Sequence, residues 1–382
     1  MISSNIDKDI PIKIALVVGE QSGDELGGPL IDSIRKQFPK AEFIGLGGNS
    51  MEKRGLASFF DIKEIAVMGI VEPLLRLRKI LNLRKNFKKF LMDQKPDLYI
   101  GIDSPDFNLP IAKYLKKQLG IKTIQYVSPS VWAWRKGRIK TMESSVDRVF
   151  TLFPFESEVY ADSSLEVSYI GHPLSYKFPI EAEEASSEDR TLLENNNKVI
   201  ALLPGSRNSE ISLLGNEMLK AAKLIKNDLP EARFLMPLSS PDHKALLEQN
   251  QDIGIVEFSY GDSQEVLRIA DLAIITSGTA TLEALLLQTP CVTVYKTGWL
   301  SFKIIKPLLN IKYFSLPNLL ANKELLPELL QDEVTPENIH TTFMSLIYHD
   351  RDKYLQEFKK IHTSLRAGGS DLAAKEIKEM LV

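Results

Sequence analysis

Short, nearly continuous apolar runs recur along this chain, each closed by glycine or an acidic turn and followed by a longer amphipathic stretch. In the first half they are KIALVVG (13–19), AEFIGLGG (41–48), DLYIGID (97–103), KTIQYVS (122–128), RVFTLF (148–153) and VSYIG (167–171). Strands without a polar face must be covered on both faces, as in a parallel sheet with crossover helices. The pattern predicts a doubly wound α/β unit. The stretch FPIEAEEASSEDRTLLENNN (178–197) breaks it and reads as an exposed connection. The alternation then resumes through KVIALLPG, ARFLMPL, GIVEFSY, DLAIITSG and PCVTVYK.

Two Rossmann-like doubly wound domains are therefore expected, over 11–177 and 198–345, with helices over 346–382. A length of 382 residues agrees, at about 150 residues per domain. The helical tail is expected either to pack back on the first domain or to exchange with a partner chain. Ligands of such sheets bind outside the carboxyl ends of the strands, here predicted to face one another across a cleft. The net charge of −3 argues against a general polyanion binder, so an anion site must be local. The single cysteine, Cys291, allows no intramolecular disulfide and reads as a small buried residue. The run IPIKIALVVG is about half of a bilayer span, and Lys13 interrupts it, so a buried strand is expected rather than an export signal.

The turns after the strands hold the candidate chemistry. VVGEQSGDELGG (17–28) carries Glu20, Ser22 and Asp24 among its glycines. A loop built only to cradle phosphate would avoid two carboxylates. In GIDSPDFN (101–108), Asp103 ends a strand and is placed to act as a general base. Asp106 reads as part of a turn that caps the next helix.

LLPGSRNSEI (202–211) follows a strand and opens a helix. Ser206, Asn208 and Ser209 are able caps, and Arg207 offers a guanidinium that forks onto phosphate. In ITSGTATLEALLLQTP (275–290), Ser277, Gly278 and Thr279 repeat that strand–turn–helix logic. Glu283 is expected in the first helical turn, either as a favourable charge there or as an acceptor for ribose hydroxyls. No Walker lysine accompanies either loop, which argues against NTP hydrolysis.

Two further segments bear on partners. Between Glu72 and Asp93 there is no acid, and Arg78, Lys79, Lys85 and Lys89 share one side of a helical wheel. Leu77, Ile80, Leu81, Phe87 and Leu91 share another. A basic amphipathic helix suits an anionic membrane surface, although a solvated helix packed on the core has the same pattern. VSPSVWAWRKGRIK (127–140) sets Trp132 and Trp134 beside cations. That suits a lipid–water interface or stacked bases, unless the tryptophans are structural. The histidines form no H-x-x-x-H or Cys/His cluster, so no metal is expected. His172, in IGHP, is either structural or lines the cleft.

Taken in order, GEQSGD, AVMGIVE, GIDSPDFN, YVSPSVWAWR, IGHP, LLPGSR, SGTATLE and SLPNLLANKELLPELLQ resemble the lipid-A-disaccharide synthase family over nearly the whole chain. The resemblance implies a two-Rossmann glycosyltransferase fold of the B type (GT-B) that works without a metal or other cofactor. It implies inverting transfer of 2,3-diacylglucosamine from UDP to the 6-hydroxyl of 2,3-diacylglucosamine 1-phosphate, giving the β-1,6 disaccharide and UDP. It implies peripheral attachment to the cytoplasmic face of the inner membrane, without nucleic acid.

Residue by residue, Asp103 matches the family's essential aspartate and Glu20 a glutamate at the cleft, either of which can be the general base. Ser22, Asp24 and His172 fall on the acceptor side. Ser206, Arg207, Ser277, Gly278, Thr279, Glu283 and Asn318 fall on the donor side, and Leu77, Arg78, Lys79, Lys85, Lys89, Trp132 and Trp134 on the membrane side. Glu25 departs from the pattern, which has an apolar residue there, and is expected to face solvent. Two rivals keep part of this reading. One is a UDP-N-acetylglucosamine 2-epimerase or another GT-B transferase with a soluble acceptor. The other is a non-catalytic membrane-binding protein that senses a nucleotide sugar.

Overall fold

The structure, a computed structural model, describes residues 11–60, 73–133, 136–181, 198–248, 253–298, 302, 311–347 and 351–381. Within helix Pro73–Gln94, side chains are described from Leu81 onward. Two compact units are present, one of residues 1–173 with 365–382 and the other of 174–364. The boundary thus falls at Pro173/Leu174, ahead of the 178–197 connection that composition marks.

In the first unit, β1 (Lys13–Val18), β2 (Glu42–Leu46), β3 (Leu56–Ser58), β4 (Leu98–Ile102), β5 (Lys122–Tyr126), β6 (Arg148–Thr151) and β7 (Glu166–Tyr169) form one parallel sheet. Its order is β3-β2-β1-β4-β5-β6-β7. Successive strand residues point to opposite faces. Ile14, Leu16 and Val18 therefore join one core cluster, while Ala15 and Val17 join the other.

The first face is covered by helix Gln21–Gln37 and by the last helix, Gly369–Leu381. Ala373 and Ala374 are small enough to let these helices approach, and Ile377 fills the space beside them. Asp371 pins the contact by accepting from Ser33 Oγ at 2.6 Å and Lys36 Nζ at 2.8 Å. The other face is covered by helix Pro105–Leu119 and by Phe87 and Leu91 of helix Pro73–Gln94.

The second unit holds β8 (Val199–Leu203), β9 (Arg233–Leu238), β10 (Val256–Tyr260), β11 (Leu272–Thr276), β12 (Cys291–Tyr295) and β13 (Glu328–Leu330). All pairings are parallel, in the order β10-β9-β8-β11-β12-β13. Helices Pro336–Ile347 and Arg351–Ser364 belong to this unit, so only the final helix of the tail packs on the first. Cys291 is buried, and burial pushes its thiol up to about 12. Among the described residues no helix is long and apolar enough to cross a membrane.

One correction concerns the opening motif. Residues 21–28 are not a loop; they are the first turns of helix Gln21–Gln37. The glycines serve packing, since a Cβ at Gly27 would strike Met51 and one at Gly28 would strike Ser50 and Arg54. Asp24 is fully buried and accepts from the amides of Gly48, Ser50 and Met51 at 2.8–3.1 Å. It holds the turn into helix Asn49–Glu52 and does not face a cleft. Glu25 is exposed.

Removing Asp24 strands three backbone donors, so Asp24→Ala is expected to lower unfolding free energy by roughly 2–4 kcal/mol. Asp32→Ala on the same helix deletes a solvent-exposed pair with Arg54 and is expected to cost under about 1 kcal/mol. Urea unfolding midpoints of the two variants measure the difference.

Candidate active site

A doubly wound sheet opens a crevice where the strand order reverses, outside the carboxyl ends of the strands. In the first sheet that point lies between β1 and β4, where Val18 pairs with Ile102. The residues that follow are Gly19-Glu20 and Asp103-Ser104. In the second sheet it lies between β8 and β11, where Leu203 pairs with Ile275. There the turns are 204–207 and 277–278, so register alone brings sequence-separated motifs to the same edge of each sheet.

Asp103 and Ser104 both have left-handed backbones, with φ of 52° and 40°. Val127, after β5, has φ 78°, which is costlier for a β-branched residue. Each such residue costs about 1–3 kcal/mol and persists only where its surroundings hold it. Here Asn108 Nδ2 donates to the Asp103 carbonyl at 2.8 Å and Gln125 Nε2 donates to it at 3.0 Å. Gln125 also reaches the Val127 carbonyl, and the Asp103 amide donates to the Tyr126 carbonyl. Gly19 makes room, because a Cβ there would lie 2.2 Å from Ser104 Oγ. No hydrogen bond to the Asp103 carboxylate is formed among the described residues, so the side chain is left for an outside partner.

Asn108 and Gln125, which hold the Asp103 backbone, are residues that sequence reading missed. The signal was a fully buried amide near each strand end, which only burial reveals. Glu20 is exposed at the N-cap of helix Gln21–Gln37 and makes no capping bond of its own. Ser22 is exposed in the first turn.

His172, after β7, stacks on Phe153 at 5.1 Å, and burial lowers its pKa to about 4. It is a neutral imidazole at physiological pH. Trp132 is partly buried. It meets Phe155 edge-on at 5.0 Å and donates to Glu156, which also accepts from the amides of Leu152 and Phe153. Burial pushes the Glu156 carboxyl up to about 7. Trp134, the AVMGIVE segment and the side chains of Leu77, Arg78 and Lys79 lie outside the described residues. Lys85 and Lys89 are exposed. Phe87 and Leu91 pack into the core, while Leu81, expected with them, is exposed.

In the second unit a cavity of about 380 Å³ is lined by Gly205, Ser206, Arg207, Ser277, Gly278 and Thr279, among others. The Thr276 hydroxyl lines it as well, buried and without a hydrogen-bond partner. The helix cap differs from expectation: Arg207, not a serine or Asn208, is the N-cap. Glu210 closes the turn, accepting from the Ser206 and Arg207 amides and from Arg207 Nη1. Gly205 has φ 105° and admits that carboxylate, whose Oε2 would sit 2.3 Å from a Cβ.

Glu283 is the fifth residue of helix Thr279–Leu286, not in its first turn, and accepts from Gln264 Nε2 at 2.7 Å. Asn318 cannot meet a ligand directly. It is fully buried, donates to Leu326 O and Glu328 Oε1, and accepts from the Leu325 and Leu326 amides, which fills an amide's capacity. It knits a segment that supports the 277–281 turn, since Ser277 Oγ donates to Phe314 O and the Leu316 amide to Thr281 Oγ1. Among the described residues no group of three or more His, Cys, Asp or Glu is disposed to hold a metal.

Two parallel α/β units with their candidate residues at the switch points make up the GT-B fold. Solved structures with this fold include Acinetobacter baumannii MurG, at TM-score 0.58 and 13% identity over 97% of this chain and 100% of that one. Another is UDP-GlcNAc 2-epimerase from Neisseria meningitidis, at TM-score 0.60 and 15% identity over 97% and 99%. The family model for lipid-A-disaccharide synthetase matches residues 14–379. The lipid-A-disaccharide synthase of Idiomarina loihiensis is 42% identical over 98% of this chain and 100% of its own length. That of Pseudomonas syringae pv. tomato is 42% identical over 97% and 98%. The chain belongs to the lipid-A-disaccharide synthetase family and is a transferase of lipid A biosynthesis. The epimerase alternative shares the fold only.

Glu156 and His172 make opposite contributions to stability against pH. Glu156 has its folded pKa raised from 4.5 to about 7, so its share is full below 4.5 and lost as pH rises through 7. His172 has its folded pKa lowered from 6.5 to about 4, so its share is full above 6.5 and lost as pH falls through 4. Each is worth roughly 3 kcal/mol. In wild type the two slopes oppose each other between pH 4.5 and 6.5. Glu156→Gln is expected to leave a stability that climbs with pH across that window, and His172→Phe one that declines. Urea unfolding at several pH values checks this; three parallel curves would contradict it.

Proposed function

We propose that the chain transfers 2,3-diacylglucosamine from UDP to the 6-hydroxyl of 2,3-diacylglucosamine 1-phosphate, forming the β-1,6 disaccharide phosphate and UDP. The observation that carries this reading is the Asp103 carboxylate, unengaged among the described residues on a strained turn that Asn108 and Gln125 clamp. A clamped backbone fixes where the carboxylate points, as a general base requires. Asp103 takes the acceptor's hydroxyl proton while that oxygen attacks the anomeric carbon from the face opposite UDP. The bond from that carbon to the diphosphate oxygen breaks, and the electron pair leaves with UDP. Glu20, on the facing turn, accepts hydrogen bonds from sugar hydroxyls.

The charge that builds on the diphosphate goes to Arg207, which is largely exposed and gives only Nη1 to Glu210 among the described residues. The turn at 277–279 faces the same cavity. Donors fixed before the reaction stabilise a leaving anion without reorganisation, so no metal is needed in this scheme. Glu283, held by Gln264, accepts from the ribose hydroxyls.

The lipid substrates call for a membrane surface. Phe59 is exposed and stacks on Phe90 at 4.5 Å, and Leu81, Lys85 and Lys89 are exposed on the helix that carries Phe90. Exposed apolar side chains and cations on one helix suit the anionic headgroups of the inner membrane's cytoplasmic face. A homodimer that exchanged helix Gly369–Leu381 would reuse its contacts with helix Gln21–Gln37.

UDP release in detergent micelles supplied with both lipids tests the scheme. Asp103→Asn is expected to lower kcat by roughly 100- to 10,000-fold. Arg207→Lys, which keeps charge but loses the planar fork, is expected to lower kcat/KM by roughly ten- to a hundredfold. EDTA is expected to change neither wild type nor variants. Near-normal turnover in Asp103→Asn would remove the assigned base, and loss of activity in EDTA would remove the metal-free scheme.

A further inference from the structure

A second cavity, of about 480 Å³, opens beside the first turn of helix Pro105–Leu119. Asp106, Leu109, Gly137, Arg138 and Thr141 are among its walls. Two guanidinium groups from different elements converge on one residue there. Arg138 Nη2 donates to Asp106 Oδ1 at 2.6 Å, and Arg84 Nη1 donates to the Asp106 carbonyl at 3.2 Å. The Arg138 side chain is only 16% exposed, whereas that of its partner Asp106 is 82% exposed.

So exposed a carboxylate is a weak partner, because water competes for it. The guanidinium is the held group and the carboxylate the replaceable one. Further cations lie nearby: Lys88 is close to Arg84, and exposed Lys136 and Lys140 flank Arg138 in the chain. Burial, and then the Arg84 charge, hold the Lys88 ammonium below its ordinary value. A planar guanidinium with its carboxylate displaced presents parallel N–H groups that match phosphate oxygens.

We propose that Arg138, assisted by Arg84, forms a subsite for a phosphomonoester, and that this subsite receives the 1-phosphate of the acceptor sugar. The placement follows from the chain. Asp106 is three residues from Asp103, and three residues span at most about 11 Å. In a sugar whose 6-hydroxyl meets Asp103, the anomeric carbon lies across the ring oxygen from the carbon that bears the 6-hydroxymethyl group, so the phosphate is within reach of that distance. Asp106 occupies the site when the phosphate is absent and yields to it. The inference rests on the acceptor proposed above and adds what distinguishes a phosphorylated acceptor from an unphosphorylated one.

The test is UDP release in micelles with 2,3-diacylglucosamine 1-phosphate or with the same lipid lacking its phosphate. Wild type is expected to show a lower KM for the phosphorylated acceptor. Arg138→Ala is expected to raise that KM roughly ten- to a hundredfold, with kcat nearly unchanged and the unphosphorylated acceptor unaffected. Arg138→Lys is expected to fall between. Asp106→Asn, which removes the competing carboxylate, is expected to lower KM for the phosphorylated acceptor only. Equal losses on both acceptors in Arg138→Ala, or an unchanged KM, would overturn the subsite. Wild-type turnover with no preference between acceptors would overturn the subsite and leave the transferase reading standing. No UDP release from wild type with either acceptor would strike the transferase reading, and the subsite with it.

Discussion

Parallel strands cannot be joined by tight hairpins; the chain must cross back over the sheet between them, and the crossover keeps one hand. Every turn that leaves a carboxyl end in a given unit therefore lies on the same edge. In the first unit the pairing of Val18 with Ile102 and of Ile102 with Tyr126 puts Glu20, Asp103 and Val127 there. In the second, the pairing of Leu203 with Ile275 does the same for the 204–207 and 277–278 turns. The chemistry has no geometry of its own until that register exists.

Carboxylates sort into two classes around this frame. Asp24, Glu156, Glu210 and Glu328 each accept from two or more backbone amides. Their oxygens are used in holding turns, and a ligand hydroxyl would have to displace a backbone donor. Asp103 inverts this arrangement. Its backbone carbonyl is clamped by two side-chain amides while its carboxylate is left unengaged among the described residues. The strain at Asp103, Ser104 and Val127 is thus opposed by Asn108 and Gln125, which place one acid where substrate can reach it. Asp106 stands between the classes, held by Arg138 yet exposed enough to be exchanged.

Much of this was legible before any coordinates. Apolar runs over 13–19, 97–103, 198–205 and 271–278 report strands buried on both faces, and their ends locate the turns. Short strands were not legible: Leu56–Ser58 and Glu328–Leu330 are too brief to show a pattern. The glycines of 19–28 suggest a loop, but small residues also serve close helix packing, as Gly27 does against Met51. Side-chain direction was the main loss. Asp24 and Asn318 sit in motifs that look functional, and each turns inward because a buried partner there needs it. Asn108 and Gln125 carry no motif, so their part in holding Asp103 depends on contacts that sequence does not show.

The central claim is a division of labour between the two units, one receiving the nucleotide's charge and the other readying the acceptor. Calorimetric titration of UDP into wild type, Arg207→Ala and Asp103→Asn tests it most directly. UDP affinity is expected to fall by roughly tenfold or more in Arg207→Ala and to stay at the wild-type value in Asp103→Asn. Equal weakening in both variants, or weakening in Asp103→Asn alone, would contradict it.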